Sequence, residues 1–305
     1  MLSARPGRCR TCSRLVPGCQ KDASSSASLV AMNLLLSLIL FVLLTIVTQI
    51  GGVALIVGWL LLILFGSSDA SKCRRRLKFV GAFSLTYIVM TLFIVPPLAA
   101  LWGRVPLPCS SAENHYAAGN SLFCILNRNY VHVRLRSLLE NLARHMNTVH
   151  PGTVTLYLDA NFPFFDGFPL FPHLSHDDGR KLDIAYYYAD ATEKYLPGVL
   201  RSPIGYWGFE QPARGADAAC PGSTWMSLRW DMNWLQPFMA DVKLDVERTK
   251  EAVNWVAGAG RNFSMEKMFM EPHMAQRLGV SSPFLKFQGC RAARHDDHIH
   301  VQIGR

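Results

Sequence analysis

From Leu29 to Phe65 the chain carries no charged residue. A helix crosses the hydrocarbon core of a bilayer with about 20 residues, so this run is too long for one comfortable span. Gln49-Ile50-Gly51-Gly52 offers a break, and the run reads as two spans, 29–48 and 52–66, the second short. A polar stretch, 67–78, sets Lys72, Arg74, Arg75, Arg76 and Lys78 against Asp69. Phe79 to Trp102 is a third apolar run, with Pro96-Pro97 near its far end and Trp102 at the expected interface. A signal peptide would show an apolar core of about 7–15 residues and then a small-residue cleavage site, a pattern this stretch lacks.

The distribution of charge supports a membrane anchor. The formal net charge of +9 suggests nucleic acid at first, but residues 1–108 hold 11 basic and 2 acidic residues, whereas 109–305 hold 20 of each. Basic residues confined to the flanks of apolar runs report membrane orientation, not a nucleic-acid footprint. No nucleic-acid partner is expected. The basic, Ser-rich residues 1–28 read as a cytoplasmic tail whose Cys9, Cys12 and Cys19 lack a fourth zinc ligand nearby. Placing that tail and the 67–78 loop in the cytoplasm puts residues 109–305 outside it. The organisation is therefore a tail (1–28), a membrane anchor (29–104, spans 29–48, 52–66 and 79–102) and an extracytoplasmic domain (109–305). The expected location is the inner membrane, multi-pass, with the domain in the periplasm.

The cysteines agree with this. The domain holds four, Cys109, Cys124, Cys220 and Cys290, and two disulfides suit an oxidising compartment. Proximity pairs Cys109 with Cys124, and the remaining two pair with each other.

Within the domain, Tyr130 to Val149 has Leu135, Leu138, Leu139, Leu142 and Met146 at helical spacing. Thr153 to Asp159 is a strand pattern. A Phe- and Pro-rich loop, 161–172, follows, and residues 189–237 are irregular and rich in tryptophan. Asp241 to Val256 reads as a helix, Met265 to Met270 as a strand, His273 to Leu278 as a short helix and Ile299 to Ile303 as the last strand.

Two segments carry the chemistry. His176 and Asp183 are seven apart, with Gly179 between them to allow a tight turn, and the residues after Asp183 look like a strand. The terminal strand carries His298 and His300 two apart, which places both imidazoles on one face. Two histidines and a carboxylate from separate segments form the ligand set of an open zinc site, with a fourth position for water. His295 and Asp297 lie close enough to supply a base, and His173 precedes His176 by three. Asp177 and Asp178 read as solvated turn residues.

The stretch His173-Leu174-Ser175-His176-Asp177-Asp178-Gly179-Arg180-Lys181-Leu182-Asp183-Ile184 resembles the first signature of the penicillin-insensitive murein endopeptidases, His-x-Ser-His-x-x-Gly-x-x-x-Asp-Ile. His295-x-x-His298-x-His300 resembles their second. These enzymes belong to a wider group of zinc peptidases with the D-alanyl-D-alanine carboxypeptidases and dipeptidases and the Hedgehog signalling domain. The resemblance implies an α+β fold with a small central antiparallel sheet, here preceded by an all-α anchor of three transmembrane helices. It implies zinc held by His176, Asp183 and His300, with His295 and His298 lining the site. His295, or else Asp297, is expected to act as the base. The implied activity is cleavage of D-alanyl–diaminopimelyl cross-links in peptidoglycan, so the expected partners are peptidoglycan peptides and the lipid bilayer. A D-Ala-D-Ala-type carboxypeptidase or a non-catalytic zinc module of the same fold are the alternatives. Arg180-Lys181-Leu182 stands where relatives carry small or apolar residues.

Overall fold

The computed structural model describes residues 20–65, 71–111, 114–213, 219–220, 227 and 229–305. Residues 1–19 of the N-terminal tail, with its three cysteines, lie outside the described residues, as do Asp69 and Trp225, while residues 20–28 begin the first helix.

The N-terminal apolar run folds as two helices, α1 (Gln20–Thr48) and α2 (Gly51–Phe65), broken at the predicted place. Gln49 turns the chain with φ 65°. At Gly51 and Gly52 an added Cβ would come within 2.9 Å or less of Leu44, Thr45 or Phe41, so the tight turn needs both glycines. The third run is α3 (Lys72–Val89), a π-helical turn at Met90–Ile94 and α4 (Val95–Ala100). Gly58 lets α2 approach the backbone of α3 at Phe83.

The expectation of three spans is corrected. Among the described residues one helix, Cys73–Ala100, is long and apolar enough to cross a membrane, while Met32–Thr48 and Gly51–Phe65 are shorter apolar helices. For α2 length is the reason. At 1.5 Å per residue, α2 with 15 residues reaches about 22 Å, less than the ~30 Å of a bilayer core. All three helices expose large apolar side chains, among them Leu34, Phe65, Leu92 and Phe93.

The domain is α+β. It opens with β1 (Arg104–Pro106), β2 (Tyr116–Ala118), α5 (Ser121–Ile125), β3 (Tyr130–His132) and α6 (Val133–Val149). The predicted helix from Tyr130 thus starts three residues late. Tyr130–His132 pairs with β1, and the His132 side chain accepts from the Arg134 N–H and caps α6. Next come β4 (Thr155–Tyr157), β5 (Lys181–Ala185) and β6 (Tyr188–Ala189), which pairs with β7 (Lys243–Leu244). Helix α7 (Val246–Gly258) begins after the predicted Asp241, because Asp245 accepts from Arg248 N–H as its N-cap. Last are β8 (Met265–Phe269), α8 (Pro272–Leu278), β9 (Leu285–Lys286) and β10 (His298–Ile303).

The main sheet has six strands in the order β2-β4-β5-β10-β8-β9. Its four inner strands are antiparallel as predicted, but β2 runs parallel to β4 and β9 parallel to β8, so the sheet is mixed. A helix returns the chain between the partners of each parallel pair, α6 in the first case and α8 in the second.

Strand alternation separates packing from chemistry. Leu182 and Ile184 of β5, with Ile299, Val301 and Ile303 of β10, join Leu135, Leu138, Leu139 and Leu142 of α6 in the main core. Burying each such side chain contributes about 1.5–3 kcal/mol. With a period of two, Asp183, His298 and His300 stand on the opposite face. Both expected disulfides are formed, Cys109–Cys124 and Cys220–Cys290.

Candidate metal centre

The register of the two central strands builds the site. His300 on β10 lies directly opposite Asp183 on β5, which brings residues 117 apart in sequence to 2.8 Å between His300 Nδ1 and Asp183 Oδ1. The loop before β5 adds His176, whose Nε2 is 3.1 Å from His300 Nδ1 and 3.3 Å from Asp183 Oδ1. All three residues are buried, and their ligand atoms lie within 4.8 Å of one another.

These separations suit a metal ion. Donors about 2.0–2.1 Å from a tetrahedral zinc are about 3.3 Å apart, close to what the three atoms show. The donors are also aimed. His176 Nδ1–H donates to the Ala160 carbonyl at 2.7 Å, leaving the Nε2 lone pair for the metal. Tyr206 donates to Asp183 Oδ2 at 2.7 Å, leaving Oδ1 for the metal. Burial alone would raise the Asp183 pKa. The nearby His176 and His298 charges, with hydrogen bonds from His176 and His300, instead hold it well below the usual carboxylate range. Burial pushes His300 down to about 4 against the pull of Asp183, so its ring is neutral and can coordinate. The three residues could hold a metal ion.

Around the three ligands the other predicted residues take distinct places. His298 directs Nε2 into the site, 3.6 Å from Asp183 Oδ2. Its Nδ1 is 2.5 Å from Asp297 Oδ1. Burial would lower the His298 pKa, but Asp183 and Asp297 raise it to about 9. Asp297 stands behind His298 and does not face the ligands, because its second oxygen accepts from Trp207 N–H at 2.6 Å. The His295 ring lies 5.0 Å from that of His298 and 5.5 Å from that of His300, with Phe269 at 5.9 Å. Burial, then the charges of His298 and His300, hold its pKa well below the usual imidazole value.

Asp177 and Asp178 lie at a bend before β5 and are half-buried, where the sequence predicts solvated turn residues. The Lys181 ammonium pairs with both at 3.1 and 3.0 Å, and Leu182 is fully buried in the core. Lys181 and Leu182 of the Arg180-Lys181-Leu182 stretch are thus taken up by the bend and the core.

The sequence reading missed Tyr206, Trp207, Asp159 and Arg128. Tyr206 also accepts from Asp159 N–H, and its ring packs against His173 at 4.4 Å. Asp159 holds His173 Nδ1 at 2.9 Å and Arg128 Nη2 at 2.6 Å. Arg128 comes from the loop between α5 and β3, Asp159 from the strand end after β4, and Tyr206 and Trp207 from the irregular segment, where no periodic pattern marks them. Trp207, with φ 67°, is a bulky side chain in a left-handed conformation, a form of strain common at functional sites. An apolar pocket of about 150 Å³ opens beside His173 and Tyr206, walled by Leu122, Phe123, Ile204 and Trp207.

No protein-family model matches the chain. No curated protein matches it either.

Proposed function

We propose that this chain is a membrane-anchored zinc metallopeptidase that hydrolyses peptide cross-links of peptidoglycan, as its resemblance to the penicillin-insensitive murein endopeptidases implies. One observation carries the reading: His176 Nε2, Asp183 Oδ1 and His300 Nδ1 converge with metal-ligand spacing next to a His298–Asp297 pair. A zinc ion bound there supplies Lewis-acid activation of water and of the scissile carbonyl.

The remaining steps belong to the side chains. Asp297 accepts from His298 Nδ1–H and fixes the ring, so that a protonated Nε2 donates a hydrogen bond to the developing oxyanion. His295 is held neutral and has a lone pair to take the proton of the attacking water and pass it to the leaving amine. Asp297 serves in this scheme as the group that orients His298, not as the base. The apolar pocket beside His173 is suited to an aliphatic part of the peptide.

The anchor sets the compartment. The basic residues Arg74, Arg75, Arg76 and Lys78 lie at one end of the Cys73–Ala100 helix and the domain follows the other. The turn between α1 and α2 touches the domain through Gln49 and Phe164. By the positive-inside rule the domain is periplasmic and the chain sits in the inner membrane, with the α1–α2 hairpin packed against the spanning helix.

Full-length protein in lipid nanodiscs, supplied with zinc, should cut cross-linked muropeptides, and His300→Ala should abolish cutting. Cutting retained in that variant overturns the assignment. Stoichiometric zinc without turnover favours the second reading, a non-catalytic zinc module, for which the near-complete burial of all three ligands speaks.

A further inference from the structure

The loop that carries His173 and His176 is fastened to the membrane helices at several points. At the α1–α2 turn, Gln49 Nε2 donates to the Phe164 carbonyl at 2.7 Å and Gln49 Oε1 accepts from Phe164 N–H at 2.8 Å. Arg104, which begins β1 four residues after α4 ends, is buried. It donates to the carbonyls of Phe162 and Phe164 at 2.6 and 3.0 Å and pairs with Asp166 at 2.5 Å. It also reaches the carbonyl of Asp177, next to His176, at 3.4 Å. Trp102 packs edge-on against Phe164 and Phe165, with centroids 5.3 and 5.6 Å away.

What this fastening presents to the outside is apolar. Leu101 is 78% exposed, Trp102 45% and Phe165 57%. They continue the exposed apolar surface of the Cys73–Ala100 helix at the end where it enters the domain. Phe165 has φ 53°, a conformation that a bulky aromatic residue adopts only under constraint from its surroundings. The strain holds a large apolar ring outward, beside a tryptophan, at the level where aromatic side chains gather at membrane interfaces.

We infer that the 162–177 loop is a membrane seat. Phe165, together with Leu101 and Trp102, enters the headgroup layer of the bilayer, and the metal centre at the far end of the loop works on peptides presented at that surface by a lipid anchor. The substrate half of this inference rests on the peptidase reading; the seat itself does not.

The test uses full-length protein in nanodiscs of phosphatidylethanolamine and phosphatidylglycerol. p-Benzoylphenylalanine replaces Phe165 in one sample and Val149 in another. Val149 ends α6, a helix of 17 residues and about 25 Å that starts beside Gly103. After irradiation, mass spectrometry should find lipid adducts at position 165 and not at 149. Absence of lipid adducts at 165, or equal yields at both positions, overturns the seat. In parallel, wild-type protein should cleave a lipid-anchored peptide in the same nanodisc with a kcat/KM at least about tenfold above that for the unanchored peptide, since confinement raises the local substrate concentration. Equal values overturn the substrate half. Cleavage of neither peptide overturns the peptidase reading and leaves the adduct result to decide the seat.

Discussion

Tyr206 gives its phenolic hydrogen to Asp183 Oδ2 across 2.7 Å, while the other oxygen of that carboxylate stays 2.8 Å from His300 Nδ1. One residue from an irregular segment thereby decides which oxygen faces the metal. Burial raises the Tyr206 pKa well above the usual phenol value, so the donor keeps its hydrogen at any physiological pH. Removing the hydroxyl with Tyr206→Phe should weaken zinc affinity about 10–100-fold, the usual effect of losing a partner of a ligand. It also leaves the Asp159 N–H without its acceptor, at about 1–3 kcal/mol of stability. Chelator competition reads the first effect and thermal unfolding the second. Unchanged affinity would show that Asp183 needs no second anchor.

Zinc bound to the folded state alone stabilises it by mass action. At a free concentration about 1,000-fold above Kd the gain is about 4 kcal/mol. Stripping the metal from full-length protein should therefore lower the unfolding midpoint, and added zinc should restore it. In Asp183→Asn, His176→Ala and His300→Ala the midpoint should no longer respond to zinc. A response that survives in all three places the metal elsewhere.

Asp297→Asn should separate orientation from ligation. The variant keeps all three candidate ligands, so zinc content should stay stoichiometric, but His298 keeps only Asp183 and loses Asp297 of the two neighbouring carboxylates that chiefly raise its pKa. A fall in kcat of about 10²–10³, the range for weakening an oxyanion donor, with little change in KM, is the expected result. Loss of zinc in parallel with activity would instead make Asp297 a support for the metal.

The Arg128–Asp159 pair makes stability depend on acid. Burial alone would raise the Asp159 pKa, but the Arg128 guanidinium and His173 hold it below the ordinary carboxylate value. A folded pKa below the unfolded one means that the unfolded chain takes up more protons as the medium is acidified. The pair's contribution is thus present above about pH 4 and is lost as pH falls through the depressed folded value. Denaturation midpoints collected from about pH 2.5 to 5 should fall steeply for wild type and less steeply for Asp159→Asn. Parallel curves would assign the acid sensitivity to other carboxylates.

Much of this molecule could be read from the chain. The leucine spacing in α6, the break at Gln49–Gly52 and the cysteine pairing follow from local periodicity, short motifs and counting, and the grouping of His176, Asp183 and His300 follows from the motif resemblance. The helix and its break depend on residues close in sequence, where helix geometry fixes which side chains share a face.

The tertiary structure alone decided the rest. Nothing near Tyr206 in the sequence marks it as a partner of Asp183, 23 residues away, and nothing near Gln49 marks it as a partner of Phe164, 115 residues away. The site's ring tautomer depends on the Ala160 carbonyl, a backbone group that any residue type would supply. The mixed edges of the sheet depend on where two helices return the chain. A residue's periodicity records the face it lies on, not which distant segment will pack there. The sequence therefore named the three residues, the pairing of β5 with β10 brought Asp183 and His300 together, and the loop before β5 added His176.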